Sequence, residues 1–369
     1  MVTAARSLLR ATSLLALALL ATSLSACRRW RPFRRAAPAV SAQVRHGRAL
    51  YARYCALCHG RRLQGYAADH ANALGNRNFL SLASDDFLRA AIRDGRPGTP
   101  MSAWGQHLGG PLSEPEISDL VAFIRSRARD PLRQLSNVSL PGDPDHGRLA
   151  WAQHCQSCHG DRAQGTERAT SVSHPNFLNY ASDIYLRDSI LDGRPGTLMA
   201  SFRTLPAQTV NDLVRHIRTL GHPPPPPPEN FEPPPGLDHL VMNPTGRPPS
   251  FTLREGRFVP GAQVLQAMQQ GRRMVILDTR PTSDWSRGHI AGALPFPFYD
   301  IEQMARQLPR DTWIVAYCAC PHAASGHVVD TLRARGFARS AVLDEGVTWW
   351  TQHNYPVARA ALLDTTAHH

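Results

Sequence analysis

The chain contains no lysine. All 41 of its cationic residues are arginine, and against 29 acidic residues they leave a formal net charge of +12 and a pI near 10.0. A nucleic-acid binder of that charge carries a contiguous basic face or a recognisable module. Neither is present, so nucleic acid is set aside as a partner; uniform arginine with 31 prolines and frequent alanine reads instead as the mark of a GC-rich genome. Long apolar runs are lacking too. The best, SLLRATSLLALALLATSLSAC (7–27), suits a secretion signal and is short for a stable span. No cysteine is left over for a structural disulfide framework. Cys27 ends that apolar run, and the other six fall into close pairs: Cys55 with Cys58, Cys155 with Cys158, and Cys318 with Cys320.

What is present begins at the N-terminus. Leu24-Ser25-Ala26-Cys27 resembles the bacterial lipobox, which implies a lipoprotein signal peptide over 1–26 and acylation of Cys27. RRWRPFRR (28–35), within a basic tether at 27–40, would add a second attraction to anionic lipid. The expectation is an exported, membrane-anchored protein facing the periplasm or cell exterior. The alternative is a plain signal peptide that happens to hold a cysteine.

An internal repeat of about a hundred residues follows. HGRALYARYCALCHGRRLQG (46–65) recurs as HGRLAWAQHCQSCHGDRAQG (146–165), and NFLSLASDDFLRAAIRDGRPGTPM (78–101) as NFLNYASDIYLRDSILDGRPGTLM (176–199). Each copy closes on a helical pattern, 113–126 and 206–220, apolar at three- and four-residue spacing. Ser113 and Glu116 make a capping box for the first of these helices, and the second has a weaker start.

Cys-x-x-Cys-His reads as a covalent haem attachment word. Two thiols one turn apart can each join a vinyl group, and the adjoining His then lies under the iron. A low-spin electron-transfer haem also needs a sixth ligand, and Met in that role raises the reduction potential. Met101 is the only methionine of the first repeat and Met199 of the second, each ending a GRPGTxM word. A zinc site or redox dithiol explains neither the repetition nor the methionines. Each repeat resembles a class I cytochrome c domain, over 41–130 and 141–220 with a linker at 131–140. The resemblance implies two all-α domains and two covalently bound haem c groups, attached through Cys55, Cys58, Cys155 and Cys158. His59 and His159 would be the proximal ligands, Met101 and Met199 the distal ones. Gly47, Leu50, Tyr51 and Phe123 match positions where the family crosses its terminal helices. Trp151 and His216 replace Tyr51 and Phe123 in the second copy, so a looser crossing is expected there. Arg96 and Arg194 are either propionate partners or solvated. His70, His107, His174 and His222 are either rival ligands or surface residues.

A Pro-rich stretch (221–250) then reads as a semi-rigid spacer. Beyond it MVILDTR (274–280) and TWIVAYC (312–318) are dense apolar runs of the buried parallel-strand kind, separated by helical patterns at 261–271 and 326–336. LDTRPTSDWSRGHIAGALPF (277–296) and VLDEGVTWW (342–350) resemble rhodanese signatures, implying an α/β domain with a parallel sheet over 251–369. Asp278, Arg280 and His289 match residues with structural roles in that family. Cys318, after Tyr317, matches its sulfur-carrying cysteine, held at a helix N-terminus that favours a thiolate. The loop departs from the family's Cys-x-x-Gly-x-Arg: Pro321 and Ala323 stand for the Gly and the Arg. Cys320 and His322 are gained, and would resolve a persulfide, assist deprotonation or bind a soft metal.

The sequence therefore predicts an exported dihaem cytochrome coupled to a domain that handles sulfane sulfur through Cys318. Its expected partners are an oxidase, a soluble cytochrome or a quinol-cytochrome reductase, small sulfur anions, and the membrane through the lipid anchor. The alternatives are a respiratory carrier with a non-catalytic docking domain, and a sulfurtransferase whose haems sense redox state.

Overall fold

A computed structural model describes residues 41–362 except 69, 98, 222–230, 235, 237–239, 320 and 321. The signal at 1–26, the tether with Cys27, His222 and Cys320 lie outside the described residues.

In the first repeat, α1 (Ala42–Tyr54), α2 (Ala56–His59), α3 (Arg77–Leu82), α4 (Asp85–Asp94) and α5 (Glu114–Arg125) surround an apolar core. Ser113 and Glu116 form the expected capping box at the start of α5, with Ser113 N–H donating to Glu116 Oε2 at 2.9 Å. The second repeat follows the same plan with α6 (Pro144–His154), α7 (Gln156–His159), α8 (Pro175–Tyr180), α9 (Asp183–Asp192) and α10 (Ala207–Thr219). Helix α10 starts at Pro206 without a side-chain cap.

The terminal helices of each repeat cross at a glycine. A Cβ on Gly47 would lie 1.9 Å from Asp119 O, and one on Gly147 would lie 2.0 Å from Asp212 O. The second crossing is therefore as close as the first, against the sequence expectation. The reason is a compensating exchange. Tyr51 donates its hydroxyl to Gly60 O at 2.8 Å, and the Trp151 indole N–H does the same to Gly160 O at 3.0 Å.

The C-terminal domain is a five-stranded parallel sheet whose strands lie in the order 258–259, 340–343, 313–317, 274–278 and 294–295, with flanking helices. In chain order its elements are β1 (Phe258–Val259), α11 (Gly261–Gln269), β2 (Met274–Asp278), α12 (Thr282–Arg287), β3 (His289–Ile290), β4 (Leu294–Pro295) and α13 (Ile301–Met304). They continue with β5 (Trp313–Tyr317), α14 (Ala323–Ala334), β6 (Ser340–Leu343), α15 (Gly346–Gln352) and β7 (Val357–Ala358). Strands β2 and β5 are the two apolar runs read from the sequence, paired from Met274–Trp313 to Asp278–Tyr317. Every residue of β2 is buried, as a central parallel strand covered on both faces requires. The segment before residue 251 already belongs to this sheet: Met242 exchanges both backbone hydrogen bonds with Met274.

The described residues from Ala42 onward form one compact unit, and two seams join its three parts. The seam between the repeats is reciprocal. Asn78 donates to the carbonyls of Asp192 and Gly193, and its counterpart Asn176 to those of Asp94 and Gly95. Asn76 donates to Pro195 O, and His174 to Pro97 O. Phe87 stacks on its own counterpart Tyr185 with centroids 5.0 Å apart. These pairs exchange under an approximate twofold rotation. The second seam joins the C-terminal domain to the first repeat, through Tyr54, Trp104, Phe298 and Tyr299, an ion pair from Arg53 to Asp300 at 2.5 Å, and the packing of α14 on α2.

Candidate functional site

Each Cys-x-x-Cys-His word folds as one short helix whose histidine is held from behind. His59 Nδ1 lies 2.9 Å from Asn72 O and His159 Nδ1 lies 3.0 Å from Thr170 O. A carbonyl accepts only, so Nδ1 carries the proton and Nε2 keeps its lone pair for a metal. Burial lowers the affinity of both imidazoles for a second proton, which keeps them neutral ligands. Burial also pushes the Cys55 and Cys155 thiols up to about 12, placing both sulfurs in an apolar environment.

The two GRPGTxM words fold into one loop made twice. Arg96 N–H donates to Met101 O at 2.7 Å and Arg194 N–H to Met199 O at 2.8 Å; Thr99 and Thr197 bridge the same turns. Each loop begins at a glycine with positive φ, Gly95 at 57° and Gly193 at 59°, where a Cβ would meet Ser102 O at 2.2 Å or Ala200 O at 2.4 Å.

The donor set fits haem c. Imidazoles pinned at Nδ1, thioethers and paired thiols are its natural ligands and attachment points. Arg96 adds a further sign. Burial draws its guanidinium pKa down, it lies over the Phe177 ring at 4.9 Å, and its contacts include the Ser171 carbonyl, with no carboxylate among its described ion pairs. A propionate would complement it. Two rival ligands are engaged elsewhere: His174 uses both ring nitrogens, with Asn176 N–H and Pro97 O, and His107 pairs with Asp94 at 3.1 Å. His70 is exposed.

Some supporting residues escaped the sequence reading. Arg125 Nη1 and Nη2 donate to Leu80 O and Ala83 O, and its Nε to Asp85; Arg218 repeats this with Leu178, Ala181 and Asp183. The signal was available, since both arginines sit near the end of the closing helix in each copy.

In the C-terminal domain Cys318 is buried at 3 % exposure at the end of β5, its Sγ 3.3 Å from Ser325 Oγ in the first turn of α14. Ser325 was also missed; only the fold brings it back over the cysteine. The loop is tied down by Val347 N–H to Cys318 O at 3.0 Å and Thr348 hydroxyl to Ala319 O at 2.8 Å. His322 precedes α14 with φ 89°, a backbone state uncommon outside glycine. Asp278 receives a forked ion pair from Arg280 and the Tyr317 hydroxyl at 2.8 Å, and His289 stacks on Trp285 with centroids 4.1 Å apart. These three residues hold the frame around Cys318.

Residues 42–124 and 142–217 match the family model described as cytochrome c oxidase, cbb3-type, subunit III, and 261–353 match the rhodanese-like domain. A CcoP subunit of a cbb3-type cytochrome c oxidase from Azospirillum sp. (strain B510) is 26% identical, over 47% of this chain and 61% of that protein. A CcoP subunit from Rhodobacter capsulatus is 28% identical, over 41% of this chain and 51% of its own length. The chain thus spans about 60% of the first of these relatives. Among solved structures, a rhodanese-related protein from Thermoplasma volcanium is 22% identical over 28% of this chain and 97% of its own, with a TM-score of 0.25. Regions matching cbb3-type cytochrome c domains imply covalently bound haem c.

Proposed function

We propose that this chain, which carries two cytochrome c domains and a C-terminal rhodanese-like domain, is a dihaem electron carrier whose third domain feeds it from sulfane sulfur. The observation that carries the electron-transfer reading is the pair of identical His-and-Met-loop frames meeting at a reciprocal seam. Cys55, Cys58, Cys155 and Cys158 would attach two haems, and His59 with Met101 and His159 with Met199 would ligate the two irons. Haem c, when bound, supplies a one-electron iron couple. Asn72 O and Thr170 O orient the imidazoles, and Arg96 and Arg194 neutralise propionate charge. The likeness to CcoP subunits supports cbb3-type oxidase subunits as the electron partner. In keeping with the lipobox resemblance at Cys27, the protein works outside the cytoplasm on a lipid anchor. Among the described residues no helix is long and apolar enough to cross a membrane.

At the third domain the Cys318 thiolate attacks the outer sulfur of thiosulfate or polysulfide. The donor S–S bond breaks, the leaving sulfite or shorter polysulfide departs with the electron pair, and Cys318 holds a persulfide. Condensation of that persulfide with a second thiol forms a new S–S bond and releases two protons and two electrons, which two one-electron haem couples would accept. The burial of Cys318 and the absence of the family's loop arginine favour a second reading, in which this domain is structural and the chain is a plain carrier. Anaerobic addition of thiosulfate, then polysulfide, to oxidised holo-protein separates them. Haem reduction that disappears in Cys318→Ser supports the sulfur route; equal reduction in both proteins, or none in either, sinks it.

A further inference from the structure

The C-terminal domain meets the first repeat at the three residues that follow Met101. Ser102 donates its hydroxyl to Asp284 Oδ2 at 2.6 Å, and Ser283 donates its own to Ala103 O at 2.7 Å. Ser102 is 5 % exposed, Ala103 and Ser283 are fully buried, and Asp284 is half-buried. Trp104 then inserts among Tyr54, Phe298 and Tyr299, with ring centroids 5.7 to 6.5 Å away. The C-terminal domain thus grips the chain within one to three residues of the methionine sulfur.

The second repeat offers an internal control, because its loop has the same backbone. Trp104 N–H donates to Ile92 O, and its counterpart Phe202 N–H to Ile190 O. Yet the counterparts of Ser102 and Ala103 are Ala200 and Ser201, both exposed, and Leu198 beside Met199 is 75 % exposed. Ser201 turns its hydroxyl back to Leu191 O within its own repeat. Among the described residues, no hydrogen bond or ring contact joins the C-terminal domain to that loop.

We propose that the rhodanese-like domain is a clamp on the Met101 loop, with Asp284 (through Ser102) and Ser283 (through the Ala103 carbonyl) as positioning residues for that axial ligand. This rests on the reading of Met101 as a ligand. An axial thioether is a weak ligand that exchanges when its loop swings away from the iron. Two hydrogen bonds to the C-terminal domain, one part-buried and one buried, hold this loop closed beyond the bonds it receives from the second repeat, while the Met199 loop has its own turn and the matching bonds from Asn76 and Asn78. The first site resists displacement of its methionine and the second yields to it.

Exogenous imidazole, titrated into the oxidised full-length holo-protein, tests this. The readout is the weak red absorption band of a ferric haem with a thioether ligand. Two unequal binding steps are expected, the tighter one removed in Met199→Ala. Asp284→Ala should raise imidazole affinity at the other step about tenfold, the equivalent of about 1.4 kcal/mol for a lost hydrogen bond. Asp284→Asn, which still accepts from Ser102, should stay near the wild type, and Ser283→Ala should act like Asp284→Ala. Equal steps in the wild type, or no change in Asp284→Ala, would overturn the clamp. A Met101→Ala protein that kept the full band would overturn the ligand reading beneath it, which separates the two failures.

Discussion

The two cytochrome repeats share their backbone frame down to single hydrogen bonds and differ in what lies against them. Tyr51 and Trp151 reach the same carbonyl, Arg125 and Arg218 grasp the same three groups, and Arg96 and Arg194 open the same loop. Around the first repeat, however, the C-terminal domain covers the stretch before Cys55 and the stretch after Met101, through Arg53, Tyr54 and Ser102 to Trp104. The second leaves Leu198, Ala200 and Ser201 in water. A duplicated domain keeps its ligand frame because that frame is local. Its surroundings diverge because they depend on a partner that only one copy has.

The comparison can be broken where the copies are alike. Gly47→Val and Gly147→Val should be the most damaging changes and equally so, since each forces a side chain into a backbone carbonyl at 1.9 or 2.0 Å. A loss of about 3 kcal/mol or more is expected for each, read from denaturant unfolding; a clearly milder Gly147→Val would restore the looser crossing that the His216 exchange suggested. Next in size comes a difference between copies. Trp104→Ala should cost about 3–5 kcal/mol because the ring is buried between two domains. Phe202→Ala, at the half-buried equivalent position, should cost about 1–2 kcal/mol. Equal losses would mean that the C-terminal domain contributes nothing at that face.

Smaller effects probe the seam between the repeats. Asn78→Ala and Asn176→Ala each strand two carbonyls and should cost about 1–2 kcal/mol apiece. Unequal losses in thermal unfolding would show that the twofold relation is geometric without being energetic. The mildest test is acid. Burial opposes ionisation of Asp94, but Arg93, Tyr180 and His107 together hold its carboxyl below the usual range. The contribution of Asp94 is therefore complete above the unperturbed value of 3.8 and is lost as pH falls through the lower folded value. Unfolding followed against pH should show that decline in the wild type and its absence in Asp94→Asn; identical acid limbs would refute it.

Much of this was legible in the sequence because it is written at short range. Met101 and Met199 each end a seven-residue word that closes on itself through an Arg N–H to Met O bond, and β2 and β5 announce themselves as unbroken apolar runs. The rest joins residues far apart with no pattern between them. Nothing in Ser102 or Asp284 alone marks a contact spanning 182 positions, nor in Arg53 and Asp300 across 247. The exchange of Phe123 for His216 pointed to a weakened crossing because it registered the loss of a phenyl partner ring. It could not register that Trp151 would recover the Tyr51 hydrogen bond from a different atom.

The packing of α14 on α2 also imposes an order in time. The C-terminal domain is synthesised after both repeats, and it settles on the helix that carries Cys58 and His59. If the proposed haem is attached to that helix, it would have to be joined while the chain is still open, before the C-terminal domain closes over it. The second repeat, uncovered, can be loaded at any moment. On the proposed dihaem reading, maturation of the first repeat would be a race between attachment and folding, and delayed attachment should yield molecules that carry pigment in the second repeat alone.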